Sequence, residues 1–261
     1  MTFRAIPLAL ALMVPLLAHG QPLRFKLDHP FQQQVELDAT TSVRLTFQGS
    51  ESLQLNYAGK TQVLPVEEAG GEVMVEDFDF DGRKDIAIPS GIGYGGVNVF
   101  YQVYRLRESF QPFPEEHAIC NPEFSAADRT LITNSRSGPL WYGVDYRFHQ
   151  GQPWVWRRRL PVLLDAISAD CDLLTLFEVY DRQGKVVSAR LSQDPAIPKP
   201  VTLKLSQSVA LFPSPGSRGT RGLLKVGTVV SLGAVTTWSE RAYAQVSTSG
   251  WILLPKGCIH R

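Results

Sequence analysis

The sequence predicts an all-β protein, on three observations. Short segments alternate apolar and polar residues, glycines punctuate them, and no stretch carries the 3.6-residue apolar period of a long amphipathic helix. Val43-Arg44-Leu45-Thr46-Phe47, Leu53-Gln54-Leu55-Asn56-Tyr57 and Thr61-Gln62-Val63-Leu64 alternate along an extended chain, so each presents an apolar face. Gly49, Gly59 and Gly70-Gly71 divide these segments. Val97 to Leu106 is rich in β-branched and aromatic residues, which suit a pleated, half-buried surface. Tyr146-Arg147-Phe148 and Trp154-Val155-Trp156 read as a hairpin about Gln150-Gly151-Gln152.

A chain of 261 residues with 44% apolar and 20% charged residues has enough material for one large or two modest cores, which argues against long disordered tracts. Pro195, Pro198 and Pro200 mark 194–200 as a linker. The expected organisation is a β domain over 21–193 and a small β-barrel over 201–261. Lys plus Arg total 26 against 25 Asp plus Glu, so no overall field favours nucleic acid or an anionic membrane surface.

Residues 1–20 read as a secretory signal: Arg4, an uncharged apolar run from Ile6 to Leu17, then Ala18-His19-Gly20 as the cleavage site. The run is shorter than the about 20 residues needed to span a bilayer, and no later stretch is long and apolar enough. The mature chain is therefore expected outside the cytoplasm, where two of its three cysteines should pair. Cys120 with Cys171 is the expected bridge, because Cys258 falls in the separate C-terminal module.

The most informative segment is Asp77-Phe78-Asp79-Phe80-Asp81-Gly82-Arg83-Lys84-Asp85, with carboxylates at loop positions 1, 3, 5 and 9 and glycine at 6. Alternate residues of a tightly curved loop can aim Asp77, Asp79 and Asp81 at one centre, and Gly82 permits the reversal. The Arg83 carbonyl and Asp85 complete an oxygen donor set suited to Ca2+. Without a cation these carboxylates would repel one another. Ile88 replaces the bidentate Glu of an EF-hand at position 12, and β-like sequence flanks the loop, so the site is EF-like but set between strands.

Gly91, Gly93 and Gly96 satisfy G-x-G-x-x-G, yet strand-like sequence follows, so no helix N-terminus is available to hold a pyrophosphate. Two readings of Gly93-Tyr94-Gly95-Gly96 stay open: a tight structural crossover, or a protruding loop whose base calcium rigidifies and whose tip offers Tyr94 to a partner. No enzyme is expected. His19, His29, His117, His149 and His260 lie in no metal spacing, no Cys/His zinc pattern exists, and no nucleophile elbow or phosphate loop is present. Arg157-Arg158-Arg159 reads as a solvated strand end, and Trp141, Trp154 and Trp156 as core residues, with a sugar platform as the less common alternative.

The segments Glu76 to Gly82, Asp85-Ile86-Ala87, Gly91 to Asn98 and Ser135-Arg136-Ser137-Gly138-Pro139-Leu140-Trp141-Tyr142 leading to Tyr146-Arg147-Phe148 resemble the periplasmic immunity proteins that inhibit peptidoglycan hydrolases delivered by bacterial type IV secretion systems. That resemblance implies a small β-propeller-like or β-sheet domain with one EF-like calcium loop. It implies Ca2+ held by Asp77, Asp79, Asp81 and Asp85, and a partner contact made by Gly93, Tyr94, Gly95, Gly96 and Asn98. Farther on, Val209 to Pro213, Gly222 to Val229, Ala242 to Val246 and Ser249-Gly250-Trp251-Ile252 resemble a bacterial SH3-like module. The expected function is thus periplasmic inhibition of a lysozyme-like peptidoglycan hydrolase. The alternative is a wall-binding or sensor module whose SH3-like tail takes cell-wall peptides.

Overall fold

Alternation sets the first sheet. A computed structural model describes residues 21–49, 51–68, 70–114, 119–169, 173–247 and 250–259. After β1 (Leu23–Lys26), strands β2 (Phe31–Glu36), β3 (Ser42–Phe47), β4 (Ser52–Tyr57) and β5 (Lys60–Pro65) form an antiparallel four-strand meander. Val43, Leu45, Phe47, Leu53 and Leu55 are buried, whereas Arg44 and Gln54 point outward. Ala58 and Gly59, both with positive φ, close the β4–β5 hairpin as a two-residue turn.

The second sheet joins β1, β6 (Glu72–Glu76), β7 (Asp85–Gly93), β8 (Asn98–Leu106) and β10 (Ile119–Cys120) in that order, with β9 (Phe110–Pro112) also on β8. It is covered on both faces, which is why Val73-Met74-Val75 and Ile86-Ala87-Ile88 are continuously apolar. Val73, Val75, Ile86 and Ile88 pack against the first sheet. Met74, Ala87 and Val103 face the other way, toward Phe78, Phe80, Leu131 and Tyr146.

The third sheet begins with β11 (Glu123–Ser125), β12 (Thr130–Ser137), β13 (Leu140–His149), β14 (Gln152–Leu163), β15 (Leu173–Tyr180) and β16 (Val186–Ser192). The hairpin expected around residue 150 is present. Gln150 and Gly151 form its turn with positive φ, and Gln152 already pairs with His149. The remaining strands are β17 (Val201–Lys204), β18 (Val209–Phe212), β19 (Gly222–Leu224), β20 (Val229–Trp238), β21 (Arg241–Val246) and β22 (Gly250–Leu253). All-β is the observed class: a single 3-10 turn, Tyr94–Gly96, is the helical content among the described residues. No helix among them is long and apolar enough to cross a membrane.

The tail differs from the self-contained SH3-like barrel expected for 201–261. Its strands continue the third sheet through β16 and β20, where Arg190 pairs with Ala234, and no closed barrel forms among the described residues. The physical reason lies in the long strand β14. Leu160 and Val162, with Leu174, Leu176 and Leu191 of β15 and β16, need an apolar cover, and Val201, Leu203, Val230, Leu232 and Ile252 of the tail supply it. Each such side chain contributes about 1.5–3 kcal/mol when buried. Leu163 also donates its backbone N–H to Cys258, so the sequence on both sides of 194–200 builds one core.

Arg157 and Arg159 correct a second expectation. They are not a solvated strand end: both bind the fully buried Asp145, Arg157 through Nε at 2.5 Å and Arg159 through Nη2 at 2.9 Å. Gly143 makes the room. A Cβ there would stand 2.3 Å from the Arg159 guanidinium carbon.

Candidate functional site

Phenylalanines position the aspartates. In the loop from Asp77 to Lys84 between β6 and β7, Phe78 and Phe80 anchor in the second core. Phe78 meets Phe124 edge-on, and Phe80 lies tilted against Phe148. The alternating Asp77, Asp79 and Asp81 are thereby turned toward the loop interior. Phe80 and Gly82 adopt φ of 59° and 93°, which reverses the chain and returns it to Asp85, paired with Glu76 at the start of β7.

The result is a buried oxygen cluster. Ligand atoms of Asp77, Asp79 and Asp85 all lie within 4.8 Å of one another, and this group can hold a metal ion. Asp77 accepts from the N–H groups of Asp81 at 3.0 Å and Gly82 at 2.8 Å. Asp85 accepts from Phe78 N–H at 3.0 Å. These bonds orient the carboxylates but do not neutralise them. Burial pushes the Asp77 carboxyl up to about 6, with the neighbouring Asp81 and Asp79 charges adding to the rise. Burial and the Asp81 charge raise Asp79, and burial with the Asp79 charge drives Asp85 well above the usual carboxylate range.

Two arginines share the site. Arg105 Nη1 lies 3.3 Å from Asp79 and also donates to the Gly151 carbonyl; Arg107 reaches Asp79 at 3.5 Å and Asp81 at 3.3 Å. Their charges do not balance Glu76, Asp77, Asp79, Asp81 and Asp85. A hard divalent cation fits this residual negative charge and all-oxygen donor set. Asp81 sits on the rim, its Oδ1 taken by Arg83 N–H at 2.9 Å. The Arg83 side chain pairs with Asp38 at 2.7 Å and fastens the loop to the first sheet. Hydrogen bonds from Thr40, with a further one from Arg83, hold Asp38 well below the ordinary carboxylate range. Asp38, Arg105 and Arg107 escaped the sequence reading. The available signal was the pair of basic residues flanking Leu106 at a strand end.

The glycine segment lies at the other end of the same hairpin. β7 runs from Asp85 to Gly93, so nine residues at about 3.3 Å each separate cluster from tip by roughly 27–30 Å. The acidic loop is therefore not the base of the Tyr94 loop. The tip has its own support. Tyr94, Gly95 and Gly96 all have positive φ, a conformation that glycine adopts freely and tyrosine rarely. Tyr94 Oη donates to the Gly138 carbonyl at 2.7 Å, and Asn98 bonds both the N–H and the carbonyl of Arg136 at 2.8 and 2.9 Å. The Arg136 guanidinium covers both Tyr94 and Trp141. Two segments about forty residues apart in sequence thus form one tip, on which Tyr94 and Trp141 stay 48% and 50% exposed.

Comparison with protein families, curated proteins and solved structures returns no match for this chain. The motif resemblance stands on the residues alone. Cys120, on β10, has a free buried thiol pushed up to about 11 by burial, as does Cys258. Cys171, the other half of the expected Cys120–Cys171 bridge, is not among the described residues, nor are residues 1–20 with their expected signal.

Proposed function

We propose that the chain is a periplasmic, Ca2+-binding protein that inhibits a lysozyme-like peptidoglycan hydrolase. The observation that carries the reading is the Tyr94–Trp141 tip. Two motifs distant in sequence are locked together by Asn98 and by the Tyr94 hydroxyl, leaving large aromatic surfaces half-exposed. Such pre-ordering cuts the entropy lost on docking, and aromatic residues flanked by arginine are common interface anchors. In this reading Ca2+ is held by Asp77, Asp79 and Asp85, with Asp81 and the Arg83 carbonyl at the rim. It stabilises the far end of the β7–β8 hairpin and makes no contact with the partner.

Turbidity of cell-wall suspensions, with hen- and goose-type lysozymes as probes, tests the reading. Inhibition is expected with at least one of them, and Tyr94→Ala should weaken it about thirtyfold, the loss of one central anchor. Trp141→Ala should weaken it in the same direction. Chelation should cost less inhibition than Tyr94→Ala, because the tip's own bonds survive. Should neither enzyme be slowed, or should Tyr94→Ala inhibit like wild type, the tip is a structural crossover.

A further inference from the structure

The arginines of the third sheet form a surface that the tip does not explain. In antiparallel pairs, residues directly opposite share a face. Asp145 opposes Arg157, Gly143 opposes Arg159, and Phe177 opposes both Arg159 and Arg190. Between Asp145 and Tyr146 the register slips, so Trp156 is extra on β14. Arg147 lies 3.7 Å from the Trp156 ring centre and Arg157 4.9 Å from it. Arg157 also covers Phe177 at 5.4 Å. Farther along the sheet, Arg136 opposes Trp141 at the tip.

Arginines outnumber the carboxylates on this face, although Asp79 and Asp128 line a pocket with Arg147 and Arg129. Asp145 is fully buried and already engaged by Arg157 and Arg159. Arg147 makes no ion pair among the described residues, and its Nε has no hydrogen-bond partner. Arg190 is exposed. The whole chain carries only +1, so this concentration of guanidinium groups is local.

We propose that the face built from Arg147, Trp156, Arg157 and Arg190 is a second docking surface, which takes a carboxylate-rich surface of the protein bound at the Tyr94 tip. The proposal rests on the reading of that tip as the partner's contact. The Arg147 and Arg190 guanidiniums can match carboxylates bidentately, which a lysine patch would not do, while Arg157, held by Asp145, keeps the Trp156 ring in place. A glycan fits less well. Two guanidiniums already lie over the Trp156 ring, and Arg136 likewise lies over Tyr94 and Trp141, which leaves less ring surface for stacking a sugar. Arginine stacked on tryptophan is instead a common composition of protein-interface centres.

The experiment titrates fluorescent decaglutamate into the full chain at low ionic strength. Binding is expected, and Arg147→Glu combined with Arg190→Glu should weaken it about tenfold or more, as close charge pairs do. Arg147→Gln, which removes charge without reversing it, should weaken binding less and guards against misfolding of the double variant. Arg44→Glu, on the outer side of the first sheet, should change binding by less than about twofold. An oligogalacturonide supplies the same carboxylates on a sugar backbone; equal or tighter binding of it would overturn the protein assignment. Absence of decaglutamate binding, or equal losses with Arg44→Glu, would overturn the surface altogether. Tyr94→Ala separates the two readings, since it should reduce hydrolase inhibition and leave decaglutamate binding intact.

Discussion

Saturating calcium is expected to raise the melting temperature by about 5–11 °C near neutral pH. A ligand held only by the folded chain at a hundredfold excess over Kd contributes about 2.7 kcal/mol. For a domain of this size each kcal/mol shifts melting by about 2–4 °C. The response should depend on pH. Asp77 ionises at about 6 in the folded chain, against 3.8 ordinarily, and Asp79 and Asp85 are shifted in the same direction. A raised carboxylate gives stability that is fully present below the ordinary value and is lost as pH rises through the folded one. In chelator the protein should therefore melt higher at about pH 5 than at about pH 7, and calcium should reverse that order. Asp85→Asn separates charge from shape. Its amide oxygen can still accept the Phe78 N–H, so the variant should outlast wild type in chelator yet gain little from calcium. Identical melting of wild type in calcium and in chelator across this range would mean that protons, Arg105 and Arg107 alone satisfy the cluster.

The aspartate loop was legible because its logic is local. Alternation of Asp with Phe places carboxylates on one side of the turn and rings in the core, and nothing remote is needed to see it. Arg105 and Arg107 were not legible. They arrive from β8, and only the register Ile86↔Tyr104 brings that strand end beside the loop. Strand identities in the first sheet followed from strict alternation, since that sheet has one buried and one open face. The junction of β16 with β20 had no such signal. Its single pair, Arg190↔Ala234, is polar on one side, and the reason for it is the apolar face of β14 and β15 underneath. Prolines between 194 and 200 mark a turn in the chain there, and the core continues beneath it. The tip shows the same limit. Gly93 to Gly96 and Ser135 to Trp141 each look like turns, and Asn98, which the resemblance offers as a partner contact, is the connector between them.

Asp145→Ala is expected to be among the most damaging single substitutions in the chain. The carboxylate is fully buried and receives Arg157 Nε and Arg159 Nη2, whose side chains are only 17% and 13% exposed. Its removal leaves two guanidiniums close together, largely out of water, with no counter-charge. Breaking a buried pair in this way costs about 3–5 kcal/mol, and proximity to the surface puts this site near the lower end. Arg159 has little freedom to escape: its Nη2 also reaches the Thr133 carbonyl at 3.3 Å, and it lies directly over Gly143. Gly143→Ala should accordingly destabilise in the same direction, because a Cβ would displace the guanidinium from its carboxylate. Denaturant unfolding measures both. The decisive comparison adds Arg157→Leu and Arg159→Leu to Asp145→Ala, which replaces the ionic cluster by apolar side chains. Recovery of most of the lost stability in the triple variant would show that the single substitution acts through orphaned charge. A triple variant as weak as Asp145→Ala would instead place the loss in packing around Trp156 and Phe177, where the guanidiniums of Arg147 and Arg157 lie over the rings.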